Sequence, residues 1–362
     1  MDLSVTHEQQ EQVSSILNQS GLTRHGWARL ERPFSFDLYE SWIEQGLQGQ
    51  MEYLKRHSPI KAEPTQILPQ AKSAIAVAFD YFPHPKPNAK HPLKSSRIAL
   101  YARGEDYHIW LQKKLDDVCT KLSEEFPGEV FKASTDSAPV LERDLAARAG
   151  LGWVGKNTCL IDPKAGSLFF IGEILTSLVP DQIGTIHPDR CGTCTRCIDI
   201  CPTQAIIEPR KLDARLCIPY LNIETKTPPP PELKKQIGDW MFGCDLCQTI
   251  CPWNEKAFGK STMQNEINPE ASRNDLIKEL KWILESEDKT LEFSLKDTPL
   301  LRRGAYGLKK NALIVAANKK ISELRPILKR FTEALSEKDS KTRSEKDNWL
   351  LELALSSLQE LN

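Results

Sequence analysis

The cysteines are the residues of this sequence whose spacing indicates chemistry most clearly. A first group reads Cys191-x2-Cys194-x2-Cys197-x3-Cys201-Pro202. Bacterial ferredoxins have this spacing, in which three thiolates bind one [4Fe-4S] cluster and the fourth cysteine binds the other cluster. A second group, Cys244-x2-Cys247-x3-Cys251-Pro252, lacks the first cysteine of that run. Cys217 lies between the two groups and can supply the missing thiolate.

The two groups together predict two [4Fe-4S] clusters, which in one small module would form an electron relay. Because the fourth cysteine of each run binds the other cluster, the ligands fall into two sets. The first set is Cys191, Cys194, Cys197 and Cys251, and the second is Cys201, Cys217, Cys244 and Cys247. The alternative is a pair of zinc sites, since Cys-x2-Cys also binds zinc, but zinc does not require the x3-Cys-Pro ending. Cys119 and Cys159 are left over, and we expect both to be small buried apolar side chains.

A glycine pattern at residues 150–156 has two misleading matches. Gly150-x-Gly152-x-x-Gly155 resembles a dinucleotide fingerprint, but residues 141–149 before it read as a helix, where that fingerprint follows a strand. The phosphate-binding loop also fails, because Asn157 stands where Ser or Thr should follow Lys156. We predict instead a glycine cap at the end of a helix, leading into a loop.

Length and composition indicate a folded protein of two or three domains. The chain has 362 residues, of which 40% are hydrophobic and 27% charged. The first residues lack the basic and apolar run of a signal peptide, and no stretch is apolar enough to span a membrane, so we expect a cytoplasmic protein without membrane contact. In that reducing compartment clustered thiols indicate metal binding. The net charge is −1, but residues 296–330 carry ten Lys or Arg against two acids.

Periodicity predicts an N-terminal α+β or α/β region, then the cysteine module, then helices. Helices are expected at 8–17, 107–126 and 140–149, and strands at 74–79, 130–133 and 168–178. Residues 81–92 read as a surface loop, and the four prolines at 228–231 as a stiff spacer. Further helices are expected at 274–284, 307–317, 321–335 and 348–361.

Four segments, taken in order, carry a resemblance to a known family. They are Tyr101-Ala-Arg-Gly-Glu-Asp-Tyr-His108, Asp136-Ser-Ala-Pro-Val-Leu-Glu-Arg143, Ala149-Gly-Leu-Gly-Trp-Val-Gly-Lys-Asn-Thr158 and Gly166-Ser-Leu-Phe-Phe-Ile-Gly-Glu-Ile174. Together with the cysteine groups and the helical tail, they resemble epoxyqueuosine reductases over nearly the whole chain. One departure is Lys61-Ala-Glu63-Pro64, where such proteins usually read Arg-x-Asp-Pro.

The resemblance implies a cobalamin-dependent oxidoreductase that acts on tRNA. Such an enzyme reduces the epoxide of epoxyqueuosine at the wobble position to queuosine, the last step of queuosine biosynthesis. The implied architecture is α+β and multidomain. It has an N-terminal α/β cobalamin-binding domain (1–180), a bacterial-ferredoxin-like module with two [4Fe-4S] clusters (181–258) and HEAT-like helical repeats that bind tRNA (259–362). We expect a monomer that holds base-off cob(II)alamin and takes electrons from an external one-electron donor, such as a ferredoxin or flavodoxin.

The resemblance also assigns roles to individual residues. The family's proton donor, the Asp of an Asp-x-x-Pro-Val motif, corresponds to Asp136, whose pKa should be raised by burial against the corrin ring. Read alone, an Asp before a proline is a turn former or helix cap. Other candidate cobalamin contacts are Arg56, His57, Arg97, Tyr107, Lys156, Asn157, Ser167 and Asp245. Candidate phosphate contacts in the basic segment are Arg302, Arg303, Lys309 and Lys310.

Two other functions stay open on sequence grounds. A reductive dehalogenase shares cobalamin and two clusters, but such enzymes usually carry a twin-arginine signal that this N-terminus lacks. A plain electron-transfer protein would have no use for 180 preceding residues or a basic helical tail.

Overall fold

The computed structural model describes residues 4–83, 92–136, 138–267, 272–338 and 343–361. Most of the loop predicted at 81–92 lies outside these ranges. Within them, no helix combines the length and apolar character needed to cross a membrane.

The N-terminal region mixes strands and helices, as predicted. Its elements are β1 Ser4–Val5, α1 His7–Gln19, β2 Arg24–Arg29, α2 Phe36–Glu44, α3 Glu52–Arg56, α4 Ser58–Ala62, β3 Ser73–Asp80, β4 Arg97–Ile98, α5 Tyr107–Glu125, β5 Phe131–Ser134, α6 Glu142–Arg148, β6 Trp153–Val154, β7 Leu160–Ile161, β8 Phe169–Thr176 and β9 Val179–Pro180. The structure confirms the predicted helices at 8–17, 107–126 and 140–149, which are α1, α5 and α6. It also confirms the predicted strands, which are β3, β5, β8 and β9.

The central sheet has the strand order β2-β3-β8-β5 and is antiparallel at every pairing. The α+β alternative therefore describes this region, and the α/β one does not, because α/β folds are built on mostly parallel sheets. Strand β3 alternates large and small residues. Ile75 and Val77 pack in the core that contains Leu111 of α5, while Ala74 and Ala76 pack in the core beneath α6.

Helix α6 ends in the glycine cap that the sequence predicts. Gly150 has φ of 81°, a left-handed conformation that glycine adopts without steric cost. Its amide donates to Ala147 O and that of Leu151 donates to Ala146 O, which together form a Schellman motif. The glycines therefore stop a helix and do not open one.

The cysteine module is made of short elements and loops. They are α7 Arg196–Asp199, β10 Ile206–Glu208, β11 Lys211–Leu212, α8 Pro231–Gln236, β12 Trp240–Phe242, α9 Leu246–Thr249 and α10 Pro252–Phe258. The prediction that all four prolines at 228–231 stay outside helices is wrong for Pro231. Proline is tolerated at the first helical position, where its missing N–H would have no helical partner, and Pro231 begins α8 there.

The C-terminal region is helical, as predicted. It contains α11 Lys260–Ile267, α12 Arg273–Glu285, α13 Asp288–Ser294, α14 Gly304–Asn318, α15 Arg325–Ser336 and α16 Glu345–Glu360. Its hydrophobic core is shared with the cysteine module, because Phe242 of β12 and Leu313 of α14 belong to one cluster. β12 also pairs with β4, so all three regions meet there. The cores thus cross the boundaries predicted at 180 and 258.

Candidate active site and cysteine module

The fold brings the eight cysteines of the two motifs together in two sets. Cys197 is close enough to Cys191 and Cys194 for their charges to act on it, and Cys251 faces Cys191 and Cys197. In the other set, Cys217 faces Cys201, Cys244 faces Cys217, and Cys247 faces both Cys244 and Cys217. These interactions run within the two sets assigned from spacing, and the assignment of each set to one cluster stays a prediction.

The two remaining cysteines differ from each other. Cys119 is buried on α5, as expected. Cys159 is not simply a buried apolar side chain: it is half-buried, hydrogen-bonds to the thiol of Cys247 and lines a cavity. It is therefore a fifth thiol beside the second set.

Side chains of the N-terminal region hold the cysteine loops in place. Lys156 Nζ donates to Gly192 O at 2.7 Å and to Cys194 O at 3.0 Å, and Asn157 Nδ2 donates to Cys247 O at 3.1 Å. N–H groups also donate to sulfur: Trp153 Nε1 lies 3.5 Å from Cys191 Sγ, and Ala205 N lies 3.3 Å from Cys201 Sγ. Hydrogen bonds to cluster sulfurs are among the factors that set a reduction potential.

Ser167 joins the strand region to helices α9 and α10 of the cysteine module. Its hydroxyl lies 3.1 Å from Gln248 Oε1 and accepts from Asn254 Nδ2 at 2.9 Å. Gly166 permits this approach, since a Cβ there would come within 2.0 Å of Asn254 Oδ1. Lys156, Asn157 and Ser167, predicted as cobalamin contacts, thus all bind the cysteine module in this structure.

A cavity of about 170 Å³ lies between the sheet and the second cysteine set. Aromatic rings form much of its wall, and Tyr107 stacks on Phe170 with ring centroids 4.0 Å apart. Polar and ionisable groups line the rest. The full lining is Tyr81, Tyr107, Asp136, Glu142, Arg143, Cys159, Leu160, Ser167, Phe169, Phe170, Ile171 and Gln248. The cavity therefore contacts both a candidate acid and the residue next to Cys247.

Asp136 is held in a charged network made from three distant segments. It follows β5 and has φ of 54°, a conformation that Asp and Asn tolerate better than other non-glycine residues. Its Oδ2 accepts from His108 Nε2 at 2.7 Å and from Arg302 Nη1 at 3.1 Å. The other ring nitrogen of His108 lies 2.6 Å from Oδ1 of Asp106, the N-cap of α5. Asp106 N in turn donates to Asp297 O, so the C-terminal region completes the network.

This network sets the protonation states of Asp136 and His108. Burial favours neutral Asp136, but the hydrogen bond and charge of His108, together with Arg302, outweigh it and lower the Asp136 pKa to about 2. Burial also opposes charge on His108, yet hydrogen bonds to Asp106 and Asp136 raise its pKa to about 9. At neutral pH the proton of this pair therefore resides on His108. The expected raised pKa of Asp136 is not found in this arrangement, because two cations face the carboxylate.

The pKa of Glu142, at the start of α6, is shifted in the opposite direction from that of Asp136. Its Oε1 accepts from the backbone N of Asp136 at 2.6 Å, and its side chain lines the cavity. Burial and the negative charge of Asp136 raise its pKa to about 7. Two neighbouring carboxyl groups thus have pKa values pushed far apart, a pattern typical of acid–base sites.

The other predicted cobalamin contacts are not part of this cavity lining. Arg97 pairs with Asp239 and stacks over Trp240. Asp245 is buried and accepts from Leu100 N. Arg56 ends α3, and His57 follows it with its ring 6.4 Å from that of Tyr53. Of the predicted set, the cavity lining therefore contains only Tyr107, Asp136 and Ser167 among the described residues.

The basic segment requires a correction. Lys310 is 1% exposed and its Nζ donates to Leu221 O, so it has no surface to offer a phosphate. Lys309 is also buried and pairs with Asp288 at 2.6 Å. Arg303 is partly buried and donates to Thr225 O. Arg302 is exposed, but it points at Asp136. The interior position of α14 explains this, because its residues pack on nearly every side.

Sequence reasoning did not single out His108 or Glu142. Both stand inside the motifs that carry the family resemblance, the first ending Tyr101 to His108 and the second preceding Arg143. Each has a titratable side chain in a cavity-forming motif, and that was the available signal. Their partners, 28 and 6 residues away in the chain, become visible only in the folded protein.

The ferredoxin-type module and the adjoining acid-lined cavity define an iron–sulfur oxidoreductase. A family model described as "4Fe-4S double cluster binding domain" matches residues 190–254, and one described as "Epoxyqueuosine reductase QueG, DUF1730" matches residues 61–137. The epoxyqueuosine reductase of Xanthomonas campestris pv. campestris is 41% identical over 267 residues, which cover 73% of this chain and 74% of that protein. The chain belongs to the epoxyqueuosine reductase family.

Solved structures share the fold. An epoxyqueuosine reductase bound to an epoxyqueuosine-modified tRNA-Tyr stem loop aligns with a TM-score of 0.76 at 24% identity, covering 98% of this chain and 99% of that one. A Bacillus subtilis epoxyqueuosine reductase, described with its aspartate-bearing catalytic loop swung out of the active site, aligns with a TM-score of 0.74 at 23% identity. It covers 98% of this chain and 100% of that one.

Proposed function

We propose that this protein reduces the epoxide of epoxyqueuosine in tRNA to the alkene of queuosine, using two [4Fe-4S] clusters and cobalamin. The observation that carries the proposal is the cavity, whose lining includes Asp136 at one end and Gln248, the neighbour of Cys247, at the other. Electrons and protons can therefore reach one place.

The substrate follows from the family. A solved relative holds an epoxyqueuosine-modified tRNA stem loop, and we propose the same class of substrate for this chain. Arg302 is the exposed cation nearest the proposed acid and can meet an incoming phosphate or nucleoside. We propose that the C-terminal helices, as HEAT-like repeats, contribute the remaining RNA surface around this residue.

The electron side uses the two cysteine sets. We propose that Cys191, Cys194, Cys197 and Cys251 hold one cluster and that Cys201, Cys217, Cys244 and Cys247 hold the other. An external one-electron donor supplies the electrons. The second cluster is the one beside the cavity, since Cys247 contacts Cys159 of the lining.

The side chains of the lining match the chemistry of one face of cobalamin. Aromatic faces such as Tyr107 and Phe170 suit a flat apolar ring, and Ser167 and Gln248 offer the hydroxyl and amide groups that amide side chains bind. Tyr107, Ser167 and Gln248 would hold the group. When bound, cobalamin would supply a cobalt centre able to reduce a carbon–oxygen bond. Lys156 and Asn157 support that face indirectly, by fixing the cysteine loops.

The proton side is the pair of His108 and Asp136. His108 holds the proton at neutral pH, and Asp136 stands between it and the cavity, so the acid reaches the substrate oxygen through Asp136. Asp106 orients the imidazole from behind. This arrangement lets Asp136 act as the donor although its own pKa is low.

The test is conversion of epoxyqueuosine tRNA by anaerobically reconstituted protein with a chemical reductant, followed by mass analysis of the nucleosides. We expect loss of one oxygen from the modified nucleoside, only when iron, sulfide and cobalamin have all been supplied. Unchanged epoxyqueuosine in the complete mixture, or equal conversion without cobalamin, would contradict the proposal.

A further inference from the structure

The reaction needs more protons than one donor holds. Reducing an epoxide to an alkene breaks both carbon–oxygen bonds, consumes two electrons and two protons, and releases the oxygen as water. The clusters and their external donor supply the electrons. The pair of His108 and Asp136 carries one proton at neutral pH. The second proton must therefore come from another acid or from solvent that reloads the first.

Glu142 is placed to be that acid. It begins α6, lines the same cavity as Asp136, and its Oε1 lies 2.6 Å from Asp136 N. The cavity's 170 Å³ is enough for water molecules, which can carry a proton between polar groups that line it. The cavity lining thus gives Glu142 a path to a substrate oxygen that Asp136 also reaches.

Burial keeps Glu173 neutral, and it is close enough to Glu142 for the charge of Glu142 to raise its pKa as well. It is fully buried in the central strand β8, where it is opposite Ser134. One carboxyl oxygen, Oε1, has no hydrogen-bond partner in the described structure, and the other faces Ser134 Oγ at 3.4 Å. An ionised carboxylate in such a place would be very costly, so a buried carboxyl with so few partners retains its proton.

We propose that Glu142, with neutral Glu173 close to it, supplies the second proton of the reduction to the departing oxygen. This assignment rests on the proposed function. In the balance, the proton from the His108 and Asp136 pair and the proton from Glu142 both leave in the water molecule. Bulk solvent then reprotonates both acids before the next turnover.

The charged groups around Glu142 decide when it holds a proton. Asp136 disfavours its ionisation, whereas Arg143 and Lys61 favour it. Glu173 is neutral and adds no charge beside Glu142. Lys61 is itself buried, and its Nζ donates to Val140 O, so burial lowers its pKa and weakens its effect. Burial and Asp136 together raise the Glu142 pKa to about 7. Glu142 is therefore protonated below about pH 7 and ionised above it.

The experiment compares Glu142→Gln with Glu142→Asp and a control, Glu124→Gln. Gln keeps an oxygen to accept from Asp136 N but cannot release a proton, whereas Asp keeps the acid. Glu124 is exposed on α5, away from the cavity lining. Single-turnover conversion is measured across pH in the reconstituted proteins. Infrared difference spectra of the same reconstituted proteins across the same range follow the C=O band of protonated carboxyl groups.

For the wild type and Glu124→Gln, we expect a carboxyl band that titrates near pH 7 and a rate that falls through the same pH. In Glu142→Gln that band and that fall should both vanish, and the rate should drop by ~10² or more. Glu142→Asp should restore part of the rate. A Glu142→Gln protein with wild-type rate and pH profile, or a spectrum in which no band near pH 7 depends on Glu142, overturns the assignment. A wild type with the band but without conversion would instead contradict the proposed function alone.

Discussion

The two ends of the cavity are built in different ways. The cysteine end comes from Cys217 and two short motifs that contribute one thiol to each other's set, all within residues 191–251, and the N-terminal region only braces them through residues such as Lys156. The acid end is assembled from His108, Asp136, Glu142 and Arg302, which span almost 200 residues of sequence. Electron transfer therefore depends on local spacing. Proton transfer depends on how three regions of the chain are packed together.

Removing one thiolate should have the largest effect, because it breaks the electron end. Cys217→Ser should lose the second cluster and keep the first, so iron per chain should fall by about half and epoxide reduction should reach background. Iron analysis and the conversion assay measure both. Cys119→Ser, on α5, is the matched control and should change neither. Full iron content in Cys217→Ser would contradict the ligand assignment.

Removing the acid should have the next largest effect, on rate alone. Asn keeps the size and the left-handed backbone of Asp136 but cannot pass a proton, so Asp136→Asn should lose ~10² to 10⁴ in rate while iron and cobalamin spectra stay normal. Asp116→Asn is a matched control, since it is the same chemical change at an exposed position of α5 that does not line the cavity. Near wild-type conversion by Asp136→Asn would contradict the role of Asp136 as proton donor and leave it only a structural role in the turn.

Replacing His108, which holds the proton of the pair, should lower the rate less than replacing Asp136 and should change the pH profile. With its pKa raised to about 9, His108 is charged below that pH, so wild-type activity should show a second fall, beyond the one expected near pH 7 from Glu142, as pH rises through about 9. His108→Gln should abolish this fall, lower the neutral-pH rate about tenfold or more, and let the Asp136 pKa rise because one of its two cations is gone. Single-turnover rates from pH 6 to 10 test this, and an unchanged alkaline limb in the variant would contradict it.

The smallest expected effect is on tRNA binding, and it comes from comparing an exposed cation, Arg302, with a buried one, Lys310. Arg302→Gln should weaken tRNA binding and reduce the salt slope by about 1, because an exposed cation near the site is lost. Lys310→Met should leave affinity and salt slope unchanged, since its ammonium group is inside the protein. Fluorescence titrations of epoxyqueuosine tRNA at several salt concentrations make the comparison. Equal losses in the two variants would contradict the structural correction of the basic segment.

The contrast between the two ends also explains what the sequence could predict. The cysteine sets, the glycine cap at Gly150 and helix α5 follow from short-range spacing, and the structure places them accordingly. The burial of Lys310 contradicts the prediction for the basic segment, because a run of charges does not by itself identify a surface. The sequence of α14 is apolar nearly all round, a pattern typical of an interior helix, and it takes its lysines inside. The pairing of His108 with Asp136 and Arg302 has no local signal at all.

The central claim is that electrons and protons meet in the cavity between the second cysteine set and Asp136. Electron paramagnetic resonance of protein loaded with iron, sulfide and cob(II)alamin tests it most directly. If the corrin lies against this cavity lining, reducing the clusters should broaden or split the cobalt signal through spin coupling to the nearby second cluster. The effect should disappear in Cys217→Ser. A cobalt signal that is the same with oxidised and reduced clusters, in both proteins, would contradict the account.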